Sequence, residues 1–104
     1  MLYDKKWDQE VKVVDEVGQV MLKAADYLEE HGHCKHVLFN DKGAVCIRGA
    51  FMKVGSFAQL NEAELRLKEF GIPWNELIGV VDWNNAPERT GEEVIAVLRA
   101  AACP

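Results

Sequence analysis

The sequence predicts a mainly α protein: four or five short helices in one compact domain, with a small β element near residues 36–46. Two observations carry this. Apolar residues recur at i, i+3, i+4 and i+7 in several stretches. Residues that start and stop helices bracket those stretches. A third observation sets the β element: two short apolar runs flank a turn at Asn40-Asp41-Lys42-Gly43.

The elements follow in order. Residues 1–14 hold Leu2, Tyr3 and Trp7 among charges, which suits a partly ordered arm whose aromatics dock on the core. Val11-Lys12-Val13-Val14 fits either a short strand or a helix lead-in. Asp15 is a suitable N-cap. Val17, Val20, Met21, Ala24, Tyr27 and Leu28 then form one helical stripe, with Asp26, Glu29 and Glu30 off it. Gly32 ends that helix.

From His33 to Cys46 two readings compete. Val37–Asn40 and Ala44–Ile47 could pair as a hairpin across the Asn40–Gly43 turn. Ile47, Ala50, Phe51 and Val54 recur at helical spacing, so a helix claims the end of the same stretch. A short strand near Val37–Asn40 and a helix after Cys46 is the favoured combination. Ser56 with Gln59 offers a capping box, with Asn61 and Glu64 as the alternative start. Phe57, Leu60, Ala63, Leu67 and Phe70 are the expected buried face, and Gly71 the stop. Pro73 suits the first turn of a further helix with Trp74, Leu77, Ile78 and Val81 on its face. That helix should run into a polar turn at Trp83-Asn84-Asn85, where Pro87 forbids continuation. Thr90-Gly91-Glu92-Glu93 reads as a second capping box, opening a last helix that buries Val94, Val97, Leu98 and Ala101 against the first.

Composition bounds function. The 104 residues carry a net charge of −5, and no Lys/Arg cluster stands out, which argues against nucleic acid as a partner. No apolar run is long enough to span a membrane, and the N-terminus has no secretory h-region. Three irregularly placed cysteines, Cys34, Cys46 and Cys103, fit reduced thiols of a cytoplasmic protein better than a disulfide framework. Gly43, Gly49 and Gly55 are too dispersed for a phosphate loop, and no cofactor motif is read.

Three segments carry a resemblance. They are Ala24-Ala25-Asp26-Tyr27-Leu28-Glu29-Glu30-His31-Gly32, Cys46-Ile47-Arg48-Gly49-Ala50 and Trp83-Asn84-Asn85-Ala86-Pro87-Glu88-Arg89-Thr90. Together they resemble a family of small uncharacterised proteins of actinobacteria and their phages. Its members close on Trp-Asn-Asp, Arg-Thr and a Val/Leu-rich helix. Here Asn85 stands where the family usually has Asp, which removes a carboxylate, and His33 stands where Trp is common. The resemblance implies an architecture and assigns no reaction.

Two constellations hold the candidate site residues. His31, His33, Cys34, His36 and Cys46 are the one cluster with metal-ligand chemistry, but the spacing lacks the two clean ligand pairs of a zinc finger. Cys34 or Cys46 as nucleophile would need a depressed thiol pKa and a neighbouring base. Trp83, Asn84, Asn85 and Arg89 could form a recognition surface, Trp and Arg being over-represented among binding hot spots. The same four could instead be structural, with Trp83 in the core, the amides satisfying backbone groups and Arg89 pairing with a carboxylate; this is the favoured reading. The function that follows is a small non-enzymatic interaction or regulatory protein of phage or bacterial origin that binds a host protein. The alternative is a zinc- or cysteine-dependent enzyme built on the His31–Cys46 cluster. A weaker third reading is an acidic decoy for a DNA-binding protein.

Overall fold

The computed structural model describes residues 14–75 and 79–102. Five helices form among them: α1 (Glu16–His31), α2 (Ile47–Val54), α3 (Phe57–Phe70), α4 (Val81–Asn85) and α5 (Gly91–Ala101). The mainly α expectation holds. Residues 1–13 of the expected N-terminal arm, with Leu2, Tyr3 and Trp7, the Leu77 and Ile78 positions and Cys103 lie outside the described residues.

α1 begins where the sequence placed it. The Asp15 carboxylate accepts from the Gly18 amide at 2.8 Å, satisfying a donor that the first turn leaves without a partner. Val20, Met21, Ala24, Ala25 and Leu28 are buried. They face mainly α5, whose Val94, Leu98 and Ala101 are buried in turn, and then α2. α2 contributes Ile47, Ala50 and Phe51, and α3 contributes Leu60, Ala63 and Leu67. The core is thus one apolar cluster at the meeting of four amphipathic stripes, as the period of 3.6 requires.

Four expectations are corrected. The strand near Val37–Asn40 reduces to a single antiparallel bridge, Phe39 with Val45, and Val45 also makes a parallel bridge with His33. Asn40 explains this: its Oδ1 accepts from both Lys42 and Ala44 amides, closing a side-chain-braced turn where a longer ladder would need backbone partners. On α3, Phe57 is 79% and Phe70 50% exposed. At 100° per residue each sits roughly 70° from the Leu60–Leu67 line, on opposite sides of it and at the two ends of the helix. The interior position that the sequence left polar, Glu64, is buried instead and does not start the helix. The box that does start it is Ser56 with Gln59, with both reciprocal bonds formed.

The third correction is the helix expected from Pro73. Among the described residues the chain there is irregular, and Asn75 and Gly79 exchange backbone hydrogen bonds of 3.1 and 2.7 Å. Helix resumes only at Val81, so Trp83-Asn84-Asn85 is a helical turn, not the polar loop expected. Fourth, the capping box at Thr90 is half built. Thr90 Oγ1 accepts from the Glu93 amide at 3.1 Å, but the Glu93 carboxylate is taken by Arg89.

Candidate functional site

The 33–46 loop, the start of α2 and the short α4 meet at Asn84, which is fully buried. Its Oδ1 accepts from the Ile47 amide at 2.9 Å, one of the donors that α2 cannot satisfy internally. The same oxygen faces His33 Nε2 at 2.8 Å. Its Nδ2 donates to the Cys34 carbonyl at 3.3 Å and to Asn85 Oδ1 at 3.0 Å. A backbone N–H can only donate and a carbonyl only accept, so the amide orientation is fixed. His33 must therefore carry its proton on Nε2 and donate it. Burial lowers the His33 pKa and outweighs the opposing bond to Asn84, so the ring is held neutral.

Asn85 extends the network. Its Oδ1 accepts from Asn84 and from the His36 amide at 2.9 Å. Both bonds go to an oxygen, so an aspartate at this position could accept the same pair. A carboxylate here would add a charge without removing those two acceptor bonds. His36, at φ 72°, is the one described non-glycine residue with positive φ, and the Asn85 bond sits at that point.

Cations fasten the C-terminal end of α4. Arg89 Nε donates to the Trp83 carbonyl at 3.0 Å while its guanidinium lies 4.3 Å from the centre of the Trp83 ring. Lys35 Nζ donates to the Ala86 carbonyl at 2.7 Å. Both carbonyls also accept a backbone amide, from Ala86 and Arg89 respectively, so the side chains add a second donor at a helix end where positive charge is favoured. Close backbone approach completes the joint. A Cβ on Gly49 would lie 2.3 Å from the Leu38 carbonyl, and one on Gly91 would lie 2.8 Å from His33 Cβ. Only glycine lets the loop rest on α2 and α5 at these two points.

The structure therefore brings His33, Cys34, His36, Cys46, Asn84 and Asn85 into one region and leaves His31 apart, stacked on Tyr27 at 4.1 Å on α1. The described residues contain no group of three His, Cys, Asp or Glu placed to share a metal ion. Cys46 Sγ caps α2 by accepting from the Gly49 amide at 3.3 Å. Burial, with Cys46 nearby, raises the Cys34 thiol, opposite to what a nucleophile needs. Trp83 is 7% exposed.

Helix α4 separates two clefts. One, of 310 Å³, is lined by His36, Val37, Leu38, Arg48, Val81 and Asn85, with Cys46 at its floor. The other, of 260 Å³, lies between Trp74, Asn75, Asp82, Trp83 and Arg89. Sequence reasoning missed Lys35, Gly91 and the Arg48–Glu64 pair. Both oxygens of the Glu64 carboxylate meet the Arg48 guanidinium at 2.7 Å, which explains a buried acid in the middle of α3. The only sequence signal for that pair was the Arg48 between Cys46 and Gly49, which periodicity alone does not pair with anything.

No curated protein and no solved structure matches the chain. A family of unknown function, DUF6197, matches residues 13–103, which takes in all five helices and both clefts. The chain belongs to that family of unknown function.

Proposed function

We propose that the protein is a binding protein that docks a protein partner and carries no turnover chemistry of its own. The observation that carries this reading is the run Val37-Leu38-Phe39, whose side chains are 51, 38 and 41% exposed. Three large apolar residues in a row at the surface of so small a domain are unusual unless something covers them. They are also held in place: the Cys46 amide donates to the Leu38 carbonyl at 3.1 Å, and Gly49 lies beneath that same carbonyl. A fixed apolar loop loses little entropy on binding.

Support also comes from what the chemically capable groups are doing. His33 is tied to Asn84, Cys46 caps α2, and Cys34 is shifted away from thiolate. Trp83, Asn84, Asn85 and Arg89, for which the sequence favoured a structural role over a recognition surface, divide between the two. Trp83 and Asn84 brace the joint, while Asn85 and Arg89 line the clefts on either side of α4. In this reading the protein is an accessory factor of bacterial or phage origin acting on a host protein in the cytoplasm.

The test is a photo-crosslinking amino acid placed at Leu38, in the cells the protein comes from, with exposed Glu92 as control. The expected result is a discrete adduct from position 38 that is absent at 92. No adduct, or the same adducts from both positions, would overturn the reading. A cysteine-based enzyme is checked separately in a Cys103→Ser background. Iodoacetamide at neutral pH should label Cys34 more slowly than a free thiol, and fast labelling would favour the enzyme.

A further inference from the structure

The acidic net charge hides an uneven distribution. The whole chain has 12 Lys and Arg against 17 Asp and Glu. Between Glu30 and Glu62 there is a single acidic residue, Asp41, and four basic ones: Lys35, Lys42, Arg48 and Lys53. This is the segment that builds the exposed apolar loop and α2. Arg48 is offset by Glu64, so the surplus rests on three lysines against one aspartate. Lys53 is fixed on this face, with Nζ 4.9 Å above the Phe39 ring. The acidic residues concentrate elsewhere: Glu16, Asp26, Glu29 and Glu30 on α1, Glu62 and Glu69 on α3, and Glu92 and Glu93 on α5.

Apolar and basic features coincide on one face. Val37, Leu38 and Val81 line the 310 Å³ cleft, Arg48 and His36 stand at it, and Phe39, the next residue along the loop, carries Lys53 over its ring. Its volume is at the small end of the range for ligand pockets, about 300–1,000 Å³, which suits one or two apolar side chains better than a cofactor. A partner matching the face needs apolar side chains for the cleft and carboxylates for the lysines.

We infer that the loop 36–39 and α2 bind an acidic amphipathic segment of the partner protein, its apolar face seated in the 310 Å³ cleft and its carboxylates toward Lys53 and Lys42. The inference rests on the binding reading above and names the partner's chemistry. Amphipathic helices docking in apolar grooves are a common recognition mode, and charge complementarity then selects among them. Nucleic acid would match the lysines and leave Val37 and Leu38 without a counterpart.

The test is an NMR titration of the full chain with three helical peptides. One carries leucine and phenylalanine on one face and glutamate on the other. A second has lysine for every glutamate. A third has the first peptide's composition with the faces scrambled. The expected result is shifts at residues 36–39 and 46–54 with the acidic peptide, and binding about tenfold tighter than with either control at low salt. Raising salt should weaken it, since the charges are exposed. Lys53→Glu, an exposed change whose folding is checked by circular dichroism, should weaken it about threefold or more. Equal binding of the lysine peptide, shifts confined to other faces, or no shifts would overturn the inference. So would a mixed-sequence oligonucleotide or anionic vesicles moving the same resonances in place of the peptide. If position 38 crosslinks a partner in cells while the acidic peptide fails, this inference falls and the binding reading stands. Failure of both removes both.

Discussion

Two adjacent asparagines with the same side chain have opposite tolerances. Asn84 uses both ends of its amide: the oxygen takes the Ile47 amide and the His33 ring, and the nitrogen supplies the Cys34 carbonyl. Asn84→Ala leaves buried donors without an acceptor and a carbonyl without a donor. The expected loss is about 3 kcal/mol, in the range for buried polar groups deprived of partners. Asn84→Asp fares no better, because it places a carboxylate against the Cys34 carbonyl in a site closed to water. Asn85 uses only its oxygen in the bonds to Asn84 and His36, so Asn85→Asp keeps both acceptor functions and should change stability by less than about 1 kcal/mol. Urea denaturation of the three variants checks this. Equal losses at 84 and 85 would mean that the amide geometry drawn above is wrong.

Short helices here depend on their ends, and the ends separate what the sequence announced from what it did not. Ser56→Ala removes one side of a complete capping box on α3 and should cost about 1 kcal/mol. Gly49→Ala should cost more, about 2 kcal/mol, because the new methyl would lie 2.3 Å from a backbone oxygen that has to move. Its NMR signature should be shifts at residues 36–39, a region Ser56→Ala leaves untouched. The Ser56 cap was legible because its partners are three residues apart. So were Asp15, Gly71 and the stripes of α1, α2 and α5, all of which rest on local spacing. Gly49 was not, since its partner Leu38 lies eleven positions away across a turn. Still greater separation in sequence hid the Arg48–Glu64 pair and the His33–Asn84 bond. The sequence named Trp83, Asn84 and Arg89 as a candidate structural joint from their chemistry, but placed them in a loop. Bonds from Ile47, His33, His36, Lys35 and Arg89 hold a five-residue helix too short to be stable alone.

Stability of the assembled fold should fall in two steps as pH drops, and the steps belong to different parts of it. His33 is held neutral by burial, with its pKa below the ordinary 6.5. The unfolded chain therefore takes up a proton near pH 6.5 that the folded one resists. In that window the unfolded state binds more protons, so stability rises with pH and is lost as pH falls from about 7 toward 5. Asp15 acts lower down. Arg66 and the Gly18 amide hold its carboxyl at about 2, against 3.8 ordinarily. The contribution of that pair is complete above about pH 4 and lost as pH falls toward 2, again because the unfolded state protonates first. The two groups tie different elements: His33 links the loop to α4, and Asp15 links the start of α1 to α3. Urea midpoints of the wild type should therefore be flat close to neutrality, decline below about pH 6.5, and decline again below about pH 4. His33→Gln, which can still donate to Asn84, should remove the first decline and leave the second. Asp15→Asn should shrink the second and leave the first. A wild-type midpoint unchanged between pH 7 and 5, or a first decline that persists in His33→Gln, would show that the ring is not the neutral buried donor that fastens the loop to α4.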